Sequence, residues 1–64
     1  MRFDFNVAKK LSGQGFDISF PESDLIPAIY NIVLESFPEE PKQVRFIMND
    51  PDFIGDVLGE LENV

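Results

Sequence analysis

Residues 3–13 read FDFNVAKKLSG, and the structure that this stretch adopts decides the fold. Its apolar residues fit two periods. Phe3, Phe5 and Val7 alternate with polar residues, which is typical of a strand with one solvated face. Phe3, Val7 and Leu11 also recur at intervals of four, which is typical of a short helix that ends near residue 13. The segment alone therefore leaves strand and helix open.

The following residues favour the strand. Residues 15–20 repeat the alternation, with Phe16, Ile18 and Phe20 on one side. Between the two Phe-rich runs lies Ser-Gly-Gln-Gly at 12–15, a strong turn signal. A β-hairpin of residues 2–20 is therefore the preferred prediction.

A helix is predicted over residues 23–37. Ser23 is the expected N-cap, Asp24 places an acid in the first turn, and Pro27 falls in that turn, where its missing N–H is no loss. Pro38 stops the helix. The predicted apolar stripe consists of Ile26, Ile29, Tyr30, Val33 and Phe37, widened by Leu25 and Ile32.

Residues 38–41 read Pro-Glu-Glu-Pro and are expected to form a stiff, exposed linker. Residues 43–48 then alternate again and predict a third strand. Asp50 as cap, Pro51 at the first helical position and Asp52 beside it predict the start of a last helix. The apolar face of this helix comprises Ile54, Val57, Leu58 and Leu61.

The order ββαβα predicts one compact α+β domain over residues 1–64, a small three-stranded antiparallel sheet with two helices packed on one face. A chain this short buries only about 60% of the surface that its unfolded form exposes, so packing must be efficient. The predicted inward-facing sheet residues are Phe3, Phe5, Val7, Phe16, Ile18, Phe20, Val44, Phe46 and Met48.

The composition excludes most catalytic chemistry. The 64 residues include twelve Asp and Glu, five Lys and Arg, and neither His nor Cys, for a net charge of −7. Zinc sites of the usual kind, disulfides and His- or Cys-based nucleophilic catalysis are therefore excluded. Asp50, Asp52 and Asp56 resemble a calcium loop, but Ile54 and Leu61 stand where oxygen ligands are needed. We expect neither enzymatic activity nor a cofactor or metal.

The acidic balance also bears on partners and location. Nucleic acid and anionic membranes attract Lys and Arg, so direct binding to either is not expected. The N-terminus has no apolar run of the kind found in signal peptides, and no stretch approaches the roughly 20 apolar residues of a membrane span. The expected location is the cytoplasm, that of a host cell if the protein is phage-encoded.

The charge is concentrated in the second half of the chain. Residues 1–34 carry a net charge of −1 and residues 35–64 carry −6. Asp52, Asp56 and Glu60 are spaced by four and form a row along the last helix, about 5–6 Å apart. A solvated face that serves only solubility is the plain interpretation. The functional one is a row of carboxylates spaced like the phosphates of one nucleic-acid strand.

A small, acidic, single-domain chain without Cys or His, with this carboxylate row, resembles the small phage-encoded anti-CRISPR proteins. The residues that carry the resemblance are Glu39, Glu40, Asp50, Asp52, Asp56 and Glu60. Several members of that group inhibit a type I Cascade complex by occupying the place of target DNA. The resemblance implies that these six residues bind the DNA-recognising basic surface of such a complex.

The expected function is thus that of a non-enzymatic inhibitor, a monomer or weak homodimer, whose partner is a host protein or nucleoprotein complex with a basic groove. An immunity protein or antitoxin that blocks a basic nuclease would rely on the same physics. The alternative is a small adaptor that docks through apolar contacts, with Ile47, Phe37 and Phe53 as anchors. Salt distinguishes them, because charge-driven binding weakens at high ionic strength and apolar docking does not.

Overall fold

The computed structural model describes residues 3–64, and this part of the chain is helical apart from its connecting loops. No strand occurs within these residues. The predicted α+β class, with its three-stranded sheet and ββαβα order, is therefore wrong. The helices are α1 (Phe3–Gly13), α2 (Glu22–Ser36), α3 (Pro41–Met48) and α4 (Pro51–Asn63).

The first half of the predicted hairpin is helix α1, so the helical alternative for this segment is correct. Val7, Ala8 and Leu11 are buried on its inner side, whereas Phe5 is 38% exposed. The period of two covers only three apolar positions, while the helical pattern continues through Ala8 and Leu11. Arg2, the first residue of the predicted strand, lies outside the described residues.

The second half of the predicted hairpin is a loop between α1 and α2. The rings of Phe16 and Phe20 pack against each other with centroids 5.1 Å apart. Gly15 has φ of 94°, a left-handed conformation that favours glycine. The turn predicted at residues 12–15 is therefore confirmed, but the residues that follow it form further turns and not a strand.

Asp17 organises this loop. Its Oδ1 accepts the hydroxyl of Ser19 and also the Ser19 backbone N–H at 2.9 Å. The side-chain bond from Ser19, followed by the backbone bond, holds the pKa of Asp17 below its usual value of 3.8. Because the folded-state pKa is lowered, this stabilisation is present above the unfolded pKa and is lost as pH falls through the folded value.

We expect a carboxyl-detected NMR titration to give Asp17 a pKa below 3.8. In a Ser19→Ala variant the pKa should rise towards the usual value, because the largest stabilising bond is lost while the backbone bond remains. An Asp17 pKa that is the same in both proteins would contradict the hydrogen-bonded turn.

Helix α2 begins two residues earlier than the expected cap at Ser23 implies. Its N-cap is Pro21, which makes no side-chain capping bond, and its first residue is Glu22. Ser23 is therefore inside the helix and is not the cap. Pro27 consequently lies beyond the first turn, where it removes the backbone hydrogen bond to the carbonyl of residue 23.

Replacing Pro27 with alanine should stabilise the protein by about 1–2 kcal/mol. Proline in a helix interior costs about 3 kcal/mol relative to alanine, and the greater freedom of the unfolded alanine variant offsets part of the gain. Pro27 is exposed, so the substitution leaves no cavity. Urea denaturation followed by circular dichroism measures the change in the free energy of unfolding. A loss of stability in the variant would contradict this prediction and show that the Pro27 ring stabilises the folded protein.

The predicted third strand is the short helix α3. Pro41 occupies its first position, a helix-start signal that the linker interpretation overlooked. Val44 is buried and Ile47 and Met48 pack against the core, which is helical spacing. Phe46 is 75% exposed, so its predicted place in the core is wrong.

The start of α4 is as predicted. Pro51 is its first residue, and the carboxylate of Asp50 caps it by accepting the N–H of Asp52 at 3.0 Å. Val57 and Leu61 are buried, and Ile54 and Leu58 pack against the core. The predicted apolar face of this helix is confirmed.

The four helices enclose one core. α1 packs against α2 and α4, and α3 also packs against α2 and α4. The ring centroid of Phe3 lies 5.7 Å from that of Phe37 and 5.8 Å from that of Phe53. These ring contacts join the start of α1, the end of α2 and the start of α4. The buried apolar residues are Val7, Ala8, Leu11, Leu25, Ala28, Ile29, Ile32, Val33, Val44, Val57 and Leu61.

Candidate functional site

The carboxylates of α4 lie at its start and on its outer face. Asp50, Asp52 and Asp56 are all exposed. One oxygen of Asp50 is engaged in capping, which fixes the position of its carboxylate relative to the helix. An acid in the first turn is also favoured by the helix dipole, so Asp50 and Asp52 stabilise the helix that displays them. We call Asp50, Asp52 and Asp56 the α4 acidic surface.

Glu60 does not share the position of the other two members of the predicted row. It is only half-exposed, and it takes part in an interaction within the protein. Four residues advance a helix by slightly more than one turn, about 40° per step, so a row of this spacing winds around the axis. By its third member the row has reached the edge of the buried face that contains Val57.

Glycines widen access to the α4 acidic surface. Gly55 and Gly59 are exposed on the same outer side as Asp52 and Asp56, and a Cβ atom built on either would meet nothing within 4 Å. They therefore do not serve a close approach of α4 to another helix of this chain. Because glycine has no side chain, neither residue covers the carboxylates of Asp52 and Asp56.

Glu39 and Glu40 form a separate group at the junction of α2 and α3. Both are exposed, and Glu40 is the N-cap of α3 without a side-chain capping bond. They line an open groove of about 420 Å³ together with Pro41, Lys42 and Gln43.

The length of α3 separates the two acidic groups. Its 8 residues extend for about 12 Å, and Glu40 and Asp50 lie beyond its opposite ends. Lys42 and Arg45 lie on α3 between them. The six predicted contact residues therefore form two exposed groups, with Glu60 turned partly inward, and not one continuous row.

The apolar anchors of the adaptor alternative are not displayed for a partner. Ile47, Phe37 and Phe53 are each only partly exposed and pack against the core. The more exposed large apolar side chains of the helices lie elsewhere: Phe5 on α1, Ile26, Tyr30 and Leu34 on α2, and Phe46 on α3. The predicted place of Ile26 and Tyr30 in the apolar core stripe of α2 is therefore wrong. An exposed and a buried isoleucine look the same in sequence.

A second open groove lies away from the acidic groups. It has a volume of about 340 Å³ between α1 and α2, and Lys9 and Lys10 line it beside Asn6 and Ser36. The α4 acidic surface is convex by contrast. Such a surface is suited to entering a groove in another molecule and not to enclosing a small substrate.

None of the helices within residues 3–64 has the length and apolar character needed to cross a membrane. Comparisons with protein-family models, with curated proteins and with solved structures gave no match to this chain.

Proposed function

We propose that this protein is a non-enzymatic inhibitor that places the α4 acidic surface in the basic, DNA-recognising groove of a nucleoprotein complex and competes with the nucleic acid. Glu39 and Glu40 form a second contact beyond α3. It acts in the cytoplasm, that of the host cell if the protein is phage-encoded. A type I Cascade-like complex is the first target to test, because the resemblance in overall character points to it.

The observation that carries the proposal is the exposure of unneutralised carboxylates on the outer side of one helix. Asp52 and Asp56 are exposed, and residues 46–64 contain no Lys or Arg that could neutralise them. Like charges four residues apart on a helix repel each other and cost a few tenths of a kcal/mol per pair. Solvated faces usually mix both signs, so an outer face of one sign is better explained by a cationic partner.

The physical consequence is fast and salt-sensitive binding. A net charge of −7 steers the protein towards a positively charged groove. Contacts between exposed charges weaken as the Debye length falls from about 10 Å at 0.1 M salt to about 3 Å at 1 M. Binding should therefore be tight at low ionic strength and lost at high ionic strength.

Affinity capture from a host lysate tests the proposal. The tagged protein should retain basic, nucleic-acid-binding proteins at 50 mM salt and release them at 500 mM salt. Added double-stranded DNA should release the same proteins at low salt, because it competes for the groove. Partners that stay bound both at 500 mM salt and in the presence of DNA would contradict nucleic-acid mimicry.

A further inference from the structure

The open groove between α1 and α2 combines apolar side chains with two lysines. Phe3, Val7 and Ile32 supply its apolar lining, and Lys9 and Lys10 supply its positive charge. Its volume of about 340 Å³ lies at the lower end of the range for small-molecule sites, which are mostly apolar with a few polar groups. We call it the α1–α2 groove.

The α1–α2 groove is cationic although the protein is acidic. The net charge of the chain is −7, yet no Asp or Glu is among the described residues that line this groove. The carboxylates next to it in sequence, Asp4 and Glu35, are not part of the lining, and Asp4 is only 9% exposed. In contrast, the groove at the start of α3 places Lys42 beside Glu39 and Glu40. An anion therefore meets uncompensated positive charge in the α1–α2 groove.

The two lysines differ in how freely they can meet a ligand. Both are exposed, and no ion pair joins either of them to a carboxylate within residues 3–64. The Lys9 ammonium lies 5.7 Å from the centroid of the Phe5 ring, a cation–π contact that holds it beside that ring. Lys10 makes no such contact within the described residues, so it is the more available of the two cations.

The apolar and the cationic parts of the groove lie at different positions along α1. Phe3 is the first residue of the helix, and Lys10 lies seven residues further on, about 10 Å along the helix axis. Phe37 directly follows α2 and contacts Phe3, so the last turn of α2 lies at the Phe3 end. Ser36 in that turn already donates its hydroxyl to the carbonyl of Ile32 at 3.1 Å. The groove thus has an apolar end and a cationic end.

We propose that the α1–α2 groove binds a small amphipathic anion, which carries one carboxylate or phosphate head group on an apolar chain of about 10 Å. The head group lies at Lys10 and Lys9, with which it forms charge-assisted hydrogen bonds. The chain extends over the apolar lining towards Phe3 and is removed from water there. The inference concerns a different surface from the α4 acidic surface and does not rest on the proposed function.

Charge argues for a small anion and against a polyanion. A nucleic acid or an anionic membrane extends beyond the two lysines and meets the carboxylates of a molecule of charge −7. A ligand with a single head group contacts only the lysines. At 0.15 M salt the Debye length is about 8 Å, so more distant carboxylates act on it weakly.

The test is an NMR titration of the ¹⁵N-labelled protein at 150 mM NaCl with octanoate, octyl phosphate, octan-1-ol and acetate. We expect octanoate or octyl phosphate to shift the amide resonances of residues 3–10 and 32–36, and the tighter of the two identifies the head group. It should bind at least tenfold more tightly than octan-1-ol, which lacks the charge, and than acetate, which lacks the chain. Binding as tight by octan-1-ol or by acetate, or shifts centred on residues 51–63, would overturn the proposal.

Lysine variants locate the head group. Lys10→Gln should weaken binding of the tighter anion about tenfold, and Lys9→Gln about threefold, because Lys9 is held beside Phe5. The matched control Lys42→Gln changes the net charge equally on α3 and should alter binding less than twofold. Equal losses in the Lys10→Gln and Lys42→Gln variants would reveal a general charge effect and overturn the proposal.

Vesicles test a membrane as the other source of an amphipathic anion. With phosphatidylglycerol vesicles at 150 mM NaCl the protein should stay in the supernatant after sedimentation, because its net charge of −7 is repelled by an anionic surface. Co-sedimentation that Lys10→Gln abolishes would assign the lysines to a membrane surface and overturn the proposal.

Discussion

Replacing Ile29 with alanine is expected to remove most of the stability of this protein. Ile29 has no exposed surface and belongs to the core that the four helices share. Truncating a buried isoleucine to alanine costs about 2–5 kcal/mol, because the transfer energy is lost and a cavity remains. A domain of 64 residues has about 3–10 kcal/mol in total, so the variant should be partly or wholly unfolded at 37 °C.

The same helix offers a matched control. Ile26 lies three residues earlier on α2 and is 38% exposed, so Ile26→Ala should cost less than about 1 kcal/mol. Urea denaturation monitored at 222 nm compares the two variants. If Ile26→Ala destabilised the protein as much as Ile29→Ala, the orientation of α2 described here would be incorrect.

The two longest helices could be predicted because local chemistry marks their ends. Pro38 stops α2, and Asp50 with Pro51 starts α4 through a cap and a first-turn proline. These signals depend on one or two residues and hardly on the rest of the fold. The start of α2 was misplaced because Ser23 is a good capping residue by type, while the chain uses Pro21.

α1 and α3 could not be distinguished from strands in the same way. Phe3, Phe5 and Val7 fit a period of two over only three positions, and so do Val44, Phe46 and Met48. Runs that short satisfy both periods, and packing decides between them. α1 packs against both α2 and α4 and buries Val7, Ala8 and Leu11, and a strand would place Val7 and Ala8 on opposite faces.

The acidic surface was only partly predictable. Spacing placed Asp52 and Asp56 on the outer side of α4, and the structure displays both. Glu60 is less exposed than Asp52 and Asp56, which follows the drift of about 40° per step in a repeat of four. The exposure of Ile26 and Tyr30 was not predicted, since it depends on how many helices surround α2.

Reversing the charge of Asp52 and Asp56 is the second large effect expected. Both side chains are exposed, so lysine at these positions leaves the core intact. Charge pairs across an interface contribute about 1.5–7 kcal/mol when they are close, and reversal replaces attraction with repulsion. We therefore expect the double variant to bind its partner at least about 100-fold more weakly, which corresponds to about 2.7 kcal/mol.

The control must change the net charge equally without touching the α4 acidic surface. Glu35→Lys with Glu62→Lys meets this condition, because both residues are exposed in the last turns of α2 and α4. Lysine near a helix C-terminus is also favoured by the dipole. Glu60 is left unchanged, because it is engaged within the protein. Circular dichroism confirms that both double variants retain their helices.

The decisive measurement is displacement of fluorescent double-stranded DNA from the basic complex that the wild-type protein captures. Wild type should displace the DNA, the Glu35→Lys, Glu62→Lys control should do so within about fivefold of the same concentration, and Asp52→Lys, Asp56→Lys should require about 100-fold more. Equal displacement by all three proteins would show that the carboxylates on the outer side of α4 do not occupy the DNA groove.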